Sequence, residues 1–437
     1  MERALFLLSC LLLLMATTLS SQENEQINLS LREAVALGLQ NHQQLKIAQA
    51  QLQTSKEQVA VSKLQRLPSV AFSANAFYLS DALILDKDWS EVQTVVMSHF
   101  GNSFGVQASQ LLYKGGIIRK SIELAELQQQ LAELDLAVNE QDIKFLIISN
   151  YLDIYKLINQ LQVLEQNKVL AEQLLNNITK SYEQDMVTRN EIIRSELQIK
   201  NLDQAILTMK NNHAILSNQM SFALGLPTNI FVIPTDDIHA NIIVQEPEYY
   251  SELAEQQHPE LRLAEKNVEI ADKNVSIRRS DWIPAVSAFG SYNMQRPVTS
   301  STSAMDMYNN TWQVGISLNF NIDQLFRSKR QVSLSRSQQR VSQEAQAYTR
   351  QQVEIGVNSA YLKYQEAKQQ VSLMGESRKL ANENYEIVRN KYLNQLAITA
   401  EMTDASNAKL NAELEYANAV INQLFQYFGL HKATGSL

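Results

Sequence analysis

In the stretch "TWQVGISLNFNID", residues 311–323, large apolar and small polar residues alternate. Trp312, Val314, Ile316, Leu318, Phe320 and Ile322 fall on one side, and Gln313, Gly315, Ser317, Asn319 and Asn321 on the other. A period of two predicts a two-faced β-strand. Three further segments, about 68–78, 102–112 and 284–295, read the same way. In the third the alternation weakens, because Phe289 falls on the polar side. Each segment is ~10 residues, enough for a tilted strand to cross a bilayer. The polar sides are small and uncharged, whereas a half-buried sheet packed on helices would turn charges toward water. Aromatics near the segment ends (Tyr78, Tyr113, Tyr292, Trp312) look like the girdles of a membrane barrel. The candidate lipid-facing residues are therefore Val314, Ile316, Leu318 and Phe320. The connections, about 79–101 and 296–310, read as long exposed loops.

Most of the remaining chain has the spacing of coiled-coil helices. Leu124, Leu127, Leu131, Leu134 and Val138 form one seam; Ala171, Leu175, Ile178 and Tyr182 form another. Ala381, Tyr385, Val388 and Tyr392 repeat the second seam 210 residues later. Neither Gly nor Pro occurs between Gly116 and Gly225. Breaks are expected near 182–191 and 392–399, where polar residues turn or cap a helix. Long helices are predicted over about 116–184 and 323–392, with return helices over 188–224 and 398–428. Helical segments also precede each strand pair, roughly 29–66 and 248–282. A helix over 116–184 would be ~100 Å long; those over 188–224 and 42–66 would be ~55 and ~37 Å, nearly matching it end to end.

The two halves follow one plan. "NHQQL" (41–45) faces "QHPEL" (257–261), and Pro68 faces Pro284, both at an offset of 216. Tyr151 faces Tyr361 and Tyr182 faces Tyr392 at an offset of 210. The expected division is a signal peptide over 1–21, a first repeat over 22–226, a proline-containing linker over 227–247, a second repeat over 248–430 and a tail over 431–437.

Composition narrows the class. A net charge of −8 in 437 residues gives no footing for nucleic-acid binding. The N-terminus has a charged start, an apolar run and small polar residues, the pattern of a secretory signal cleaved just before Gln22. "LLSC" loosely resembles a lipoprotein box. Four leucines follow Cys10, however, so cutting there leaves half of the apolar run on the product. Cys10 is the only cysteine, so cleavage before Gln22 removes thiol chemistry and disulfides. No later segment is a continuous apolar run of ~18 residues, so no transmembrane helix is expected. The six histidines form no ligand pair and read as surface or capping residues. Phosphate-binding glycine loops are missing, and no catalytic or metal residue and no cofactor is expected.

The predicted fold class is mostly α with a membrane β-barrel portion. Four strands cannot close a barrel, and open edges in lipid leave backbone groups unpaired. Three copies would supply twelve strands, continued by twelve helical rods as a coiled-coil tube. In these respects the chain resembles the TolC-like outer-membrane efflux proteins. The carriers are the two-copy plan, the Pro-led strands "LPSV" and "IPAV", and "QLLYKGG" (110–116) at the strand-to-helix passage. "YEQDMVTRNEIIRSELQ" and "YLNQLAITAEMTDASN" match the helix-hairpin tips. The family usually has Gly three residues after the tip tyrosine; Asp185 and Gln395 stand there instead.

The resemblance implies a homotrimeric outer-membrane conduit for small molecules or proteins. Its periplasmic end would meet an adaptor protein and an inner-membrane transporter, and would close and open. Candidate adaptor contacts are Asp185, Met186, Val187, Gln395, Leu396 and Ala397. Glu383 and Glu386 match where the family often rings the pore with acids. Glu191 and Glu401 match acidic tip positions, and Arg189 and Arg389 are basic groups able to latch neighbouring helices. The alternative is an exported trimeric coiled-coil adhesin or surface scaffold; a soluble periplasmic hydrolase would need a polar cluster not seen here.

Overall fold

A computed structural model describes residues 25–227, 230–236, 244–299, 305–394 and 396–437. The expected signal peptide, Cys10, Gln395 and part of the linker lie outside the described residues. The elements run β1 (Glu25–Leu29), α1 (Leu31–Asn41), α2 (Gln43–Leu64), β2 (Ser69–Tyr78), β3 (Ala82–Leu85), β4 (Glu91–Val95), β5 (Phe100–Tyr113), α3 (Ile117–Glu183) and α4 (Arg189–Leu224). There follow β6 (Ile230–Pro234), α5 (Pro247–Gln257), α6 (Pro259–Arg279), β7 (Ala285–Arg296), β8 (Asn309–Asn319), α7 (Gln324–Leu393) and α8 (Thr399–Ala433).

Two compact units form. One gathers the described residues up to Gln49, Leu134–Arg262 and Thr349–Leu437; the other gathers Ala50–Glu133 and Leu263–Tyr348. Each draws on both sequence repeats, so the compact units cut across the repeat division.

The first unit is a helical bundle with an ordinary core. Ile143, Ile147, Tyr151 and Ile154 project from one stripe of α3 onto Ala34, Leu45, Met220 and Leu224. At the end of this core β1 and β6 pair in parallel, with Ile27 opposite Val232. Of the expected linker over 227–247, residues 230–234 form β6, and burial of Val232 with Leu29 places that strand in the core. Asp236 ties the pair down: its Oδ2 accepts from Leu31 N–H at 2.6 Å and lies 2.9 Å from Tyr151 Oη. Burial, chiefly, pushes the Tyr151 phenol up to about 12.

The helical segments expected at 29–66 and 248–282 are each interrupted, at His42 and His258. The same device makes both breaks. His42 N–H closes α1 on Gly38 O at 2.9 Å, and His42 Nδ1 accepts Gln44 N–H at 3.2 Å to open α2. His258 N–H bonds Ala254 O at 2.9 Å and its Nδ1 accepts Glu260 N–H at 3.3 Å. A left-handed glycine seals each break: Gly225 (φ 67°) abuts Asn41 and Gly435 (φ 74°) abuts His258. A Cβ would stand 2.8 Å from Asn41 Cβ in one case and 2.7 Å from His258 Cα in the other, too close for any side chain. The expected tail over 431–437 is thus structural. α8 continues to Ala433, and Lys144 Nζ reaches the Leu437 carbonyl at 3.0 Å.

The second unit is built on a four-stranded antiparallel sheet in the order β2-β5-β7-β8, joined at β5–β7 across the two repeats. Strand β8 covers 309–319, not 311–322, so Phe320 lies just outside it and is not a strand residue. Asn321 and Ile322 instead supply carbonyls to the first amides of α7, which ends the pleat. The connection 79–101, expected to be a loop, carries the hairpin β3–β4. A bulge between Leu111 and Tyr113 in β5 precedes the turn into α3.

Candidate functional site

Register decides what each face of the sheet can do, because partners across a ladder point the same way. One row runs Phe72, Val106, Tyr292, Trp312; the next runs Val70, Ala108, Gly290, Val314. Ala288 with Ile316, and Val286 with Leu318, extend the same face. Tyr292 and Trp312 therefore sit within the sheet in a shared row rather than at strand ends. This apolar face is open: Val314, Ile316 and Leu318 are each about two-thirds or more exposed.

The opposite face is built of Ser73, Gly105, Asn293 and Thr311 in one row and Ala71, Gln107, Ser291 and Gln313 in another. No residue of this face in the four strands is charged. Two phenylalanines also stand on it. Phe289 lies over its partner Gly315, and Phe77 over its partner Gly101. The break in alternation at Phe289 thus has a cause: the large ring fills the space left by a glycine on the neighbouring strand.

The helix tips form the other candidate region. After α3, Asp185 N–H bonds Tyr182 O and Met186 N–H bonds Ser181 O, both at 2.9 Å, with Asp185 left-handed at φ 54°. That pair of bonds is the usual glycine-type helix stop, made here with an aspartate. At the second tip Leu396 N–H bonds Lys391 O at 2.8 Å, the same bond 210 residues on. Asp185, Met186 and Leu396 are exposed, and Val187 and Ala397 half-buried.

Of the six acidic and basic candidates, only Glu386 and Arg389 are paired with each other among the described residues, at 3.5 Å on one face of α7. Glu383, Glu386, Arg389 and Arg189 are exposed. The repeat mates Glu191 and Glu401 differ. Glu401 closes the start of α8 by accepting Ile398 N–H at 3.0 Å. Glu191 keeps one carboxylate oxygen shielded with no hydrogen-bond partner.

Sequence spacing did not reveal how α7 is fastened to α8. Arg378 stands 3.9 Å from the Tyr416 ring and Lys409 4.5 Å from the Tyr385 ring. The two contacts are one heptad apart on each helix with the cation on alternate partners, as antiparallel helices require. A cation and an aromatic 24 to 38 residues apart carry no local signal. On the first hairpin Lys168 reaches Asp203 at 2.7 Å; this bond, then Lys200, holds the Asp203 carboxyl below its ordinary range.

Among the described residues no group of three His, Cys, Asp or Glu is placed to hold a metal ion, and no helix is long and apolar enough to cross a membrane. An outer membrane efflux protein family model matches residues 35–226 and 250–436. The outer membrane efflux protein BepC of Brucella suis biovar 1 (strain 1330) is 22% identical over 438 residues, covering 99% of this chain and 90% of that one. The outer-membrane channel OprN superposes with a TM-score of 0.79 at 15% identity, covering 93% of this chain and 90% of its own. The outer membrane protein VceC of Vibrio cholerae gives 0.76 at 14% identity, covering 93% and 96%. These matches set aside the adhesin, scaffold and hydrolase readings. The chain belongs to the outer membrane efflux protein family, as a channel of the outer membrane and not an enzyme.

Proposed function

We propose that three copies of this chain close a twelve-strand barrel, and that its helices continue as a periplasmic tube. The tube's tips would meet a periplasmic adaptor and an inner-membrane transporter. The observation that carries this reading is the open sheet. Among the described residues its edge strands β2 and β8 have no partner on their outer sides, and one face is apolar while the other is uncharged and polar. In lipid, unpaired strand edges are untenable. The four strands alternate in direction, so β8 of one copy meets β2 of the next antiparallel and a ring closes without an odd pair. A stripe on α7 supports the same association: Leu334, Val341, Tyr348, Ile355 and Leu362, spaced by seven, are all more than half exposed.

At the tips, Glu383 and Glu386 would each appear three times around the pore, favouring cations there. The Glu386–Arg389 pair would steady the closed arrangement, with Glu191, Glu401 and Arg189 nearby. Asp185, Met186, Val187, Leu396 and Ala397, with Gln395 between them, would supply the adaptor contact; exposed Met186 and Leu396 give it an apolar anchor. Mass measurement of the detergent-extracted protein tests the assembly. Three chains are expected, and a stable monomer retaining its full β-sheet signal in lipid would overturn it.

A further inference from the structure

The sheet's polar face carries two aromatic rings among hydroxyls, amides, glycines and the aliphatic side chains Ala71, Leu111 and Ala285. Phe289 lies over Gly315, whose added Cβ would be 3.0 Å from Phe289 Cζ; a Cβ on Gly101 would overlap the Phe77 ring. Both rings therefore rest on bare backbone of the next strand with no side chain beneath them. Phe77 remains 38% exposed and Phe289 half-buried. Their partners on β5, Gly101 and Ser109, are eight residues apart, which separates the two rings by ~27 Å along the strand.

We propose that Phe77 and Phe289 are two contact points for organic cations that carry flat apolar surface, met in turn as such cargo moves along the wall. The inference rests on the channel reading, in which the polar face lines the water path. The face of an aromatic ring is electron-rich and attracts a cation while its area desolvates apolar surface. No charged side chain of this face competes with that attraction. The surrounding Ser, Asn and Gln groups hold water and offer an apolar ring nothing better than solvent does. A contact of this strength delays passage without trapping the cargo, as conduction requires. An anion of the same shape meets the ring's negative face and gains only the apolar part.

Single-channel currents of the full chain in planar bilayers test this with tetraphenylphosphonium, its anionic counterpart tetraphenylborate, and tetramethylammonium. The native channel should show phosphonium dwell events, longer than those of tetraphenylborate, and no added dwell with tetramethylammonium. Phe289→Leu and Phe77→Leu keep an apolar cover over the glycine and lose the ring. Each should shorten phosphonium dwell ~fivefold, the scale of one exposed cation–π contact, while Phe289→Tyr retains it. Equal dwell in phenylalanine and leucine channels overturns the inference. Should a leucine variant fail to insert, the native channel decides: tetraphenylborate dwelling as long as the phosphonium overturns it. Absence of current from the native protein overturns the channel reading itself, whereas current with unchanged dwell overturns this inference alone.

Discussion

Ile147 and Ile316 are the same side chain in two opposite situations. Ile147 is fully buried in the helical bundle, against Gly38 of α1. Ile316 is 73% exposed on the apolar face of the sheet. Among the described residues all four apolar core clusters lie in the bundle unit, and the sheet turns its large apolar residues outward. In the bundle, water drives such groups inward. On the sheet, the proposed barrel would cover them with lipid. On the proposed barrel reading, the placing of isoleucine separates the part of the chain that meets water from the part that meets lipid.

The comparison breaks most visibly with one substitution made twice. Ile147→Ala should destabilise the bundle by about 2–5 kcal/mol, transfer plus cavity, seen as a lowered thermal midpoint of its helical signal. Ile316→Ala leaves no cavity in a protein core and should shift assembly little by the same measurement. Arginine reverses the ranking within the sheet. Ile316→Arg should cost about 2–4 kcal/mol near mid-bilayer and lower the yield of membrane-inserted protein, whereas Ser317→Arg should insert and alter conductance. Equal tolerance at 316 and 317 would mean that the faces are misassigned.

Acid sharpens the difference further. Desolvation lowers the pKa of His42, His213, His258 and His431, all in the bundle; Glu260 opposes this only at His258. A depressed histidine favours the neutral folded form, so the unfolded chain takes up protons first. Bundle stability should therefore hold above the free value of 6.5 and fall as pH drops through it toward the folded values. Thermal midpoints at about pH 7.5 and about pH 5 measure the loss. His42→Asn with His258→Asn keeps a side-chain acceptor at both helix starts and should flatten part of that dependence.

Smaller effects are expected at the tips. Asp185→Gly relieves a left-handed non-glycine residue and should stabilise the first tip by about 1 kcal/mol, read from slower proteolysis there. Arg389→Ala removes an exposed pair contributing at most about 1 kcal/mol and should lengthen channel openings. Glu383→Ala with Glu386→Ala should weaken cation preference in the same recordings. Unaltered currents in both of these variants would make these residues a solvated face.

Periodicity alone exposed the large elements: a period of two marked the four long strands, and heptads marked α3 and α7. What escaped notice depends on contacts between distant segments. Val232 reads as linker until β1 lies beside it. Phe289 reads as a flaw until Gly315 is opposite. The helix breaks at His42 and His258 each need a glycine near 225 or 435 to seal them. The seam through Leu124, Leu127, Leu131, Leu134 and Val138 is only half-buried in one chain, while Ile122 and Ala125 take the buried positions. Spacing gives a helix its stripes and leaves open which stripe meets which neighbour. The acidic tip residues come from the family resemblance, but their partners, Arg389 for Glu386 and Ile398 N–H for Glu401, require the fold.

Cysteine scanning along β8 tests the central claim most directly. Single cysteines at 313 through 318, in a chain whose sole other cysteine is Cys10 in the expected signal peptide, would be exposed in intact outer membranes to a charged, membrane-impermeant thiol reagent. The account predicts a period of two: labelling at 313, 315 and 317, and protection at 314, 316 and 318. Uniform labelling along the strand, or protection on the polar side instead, would contradict it.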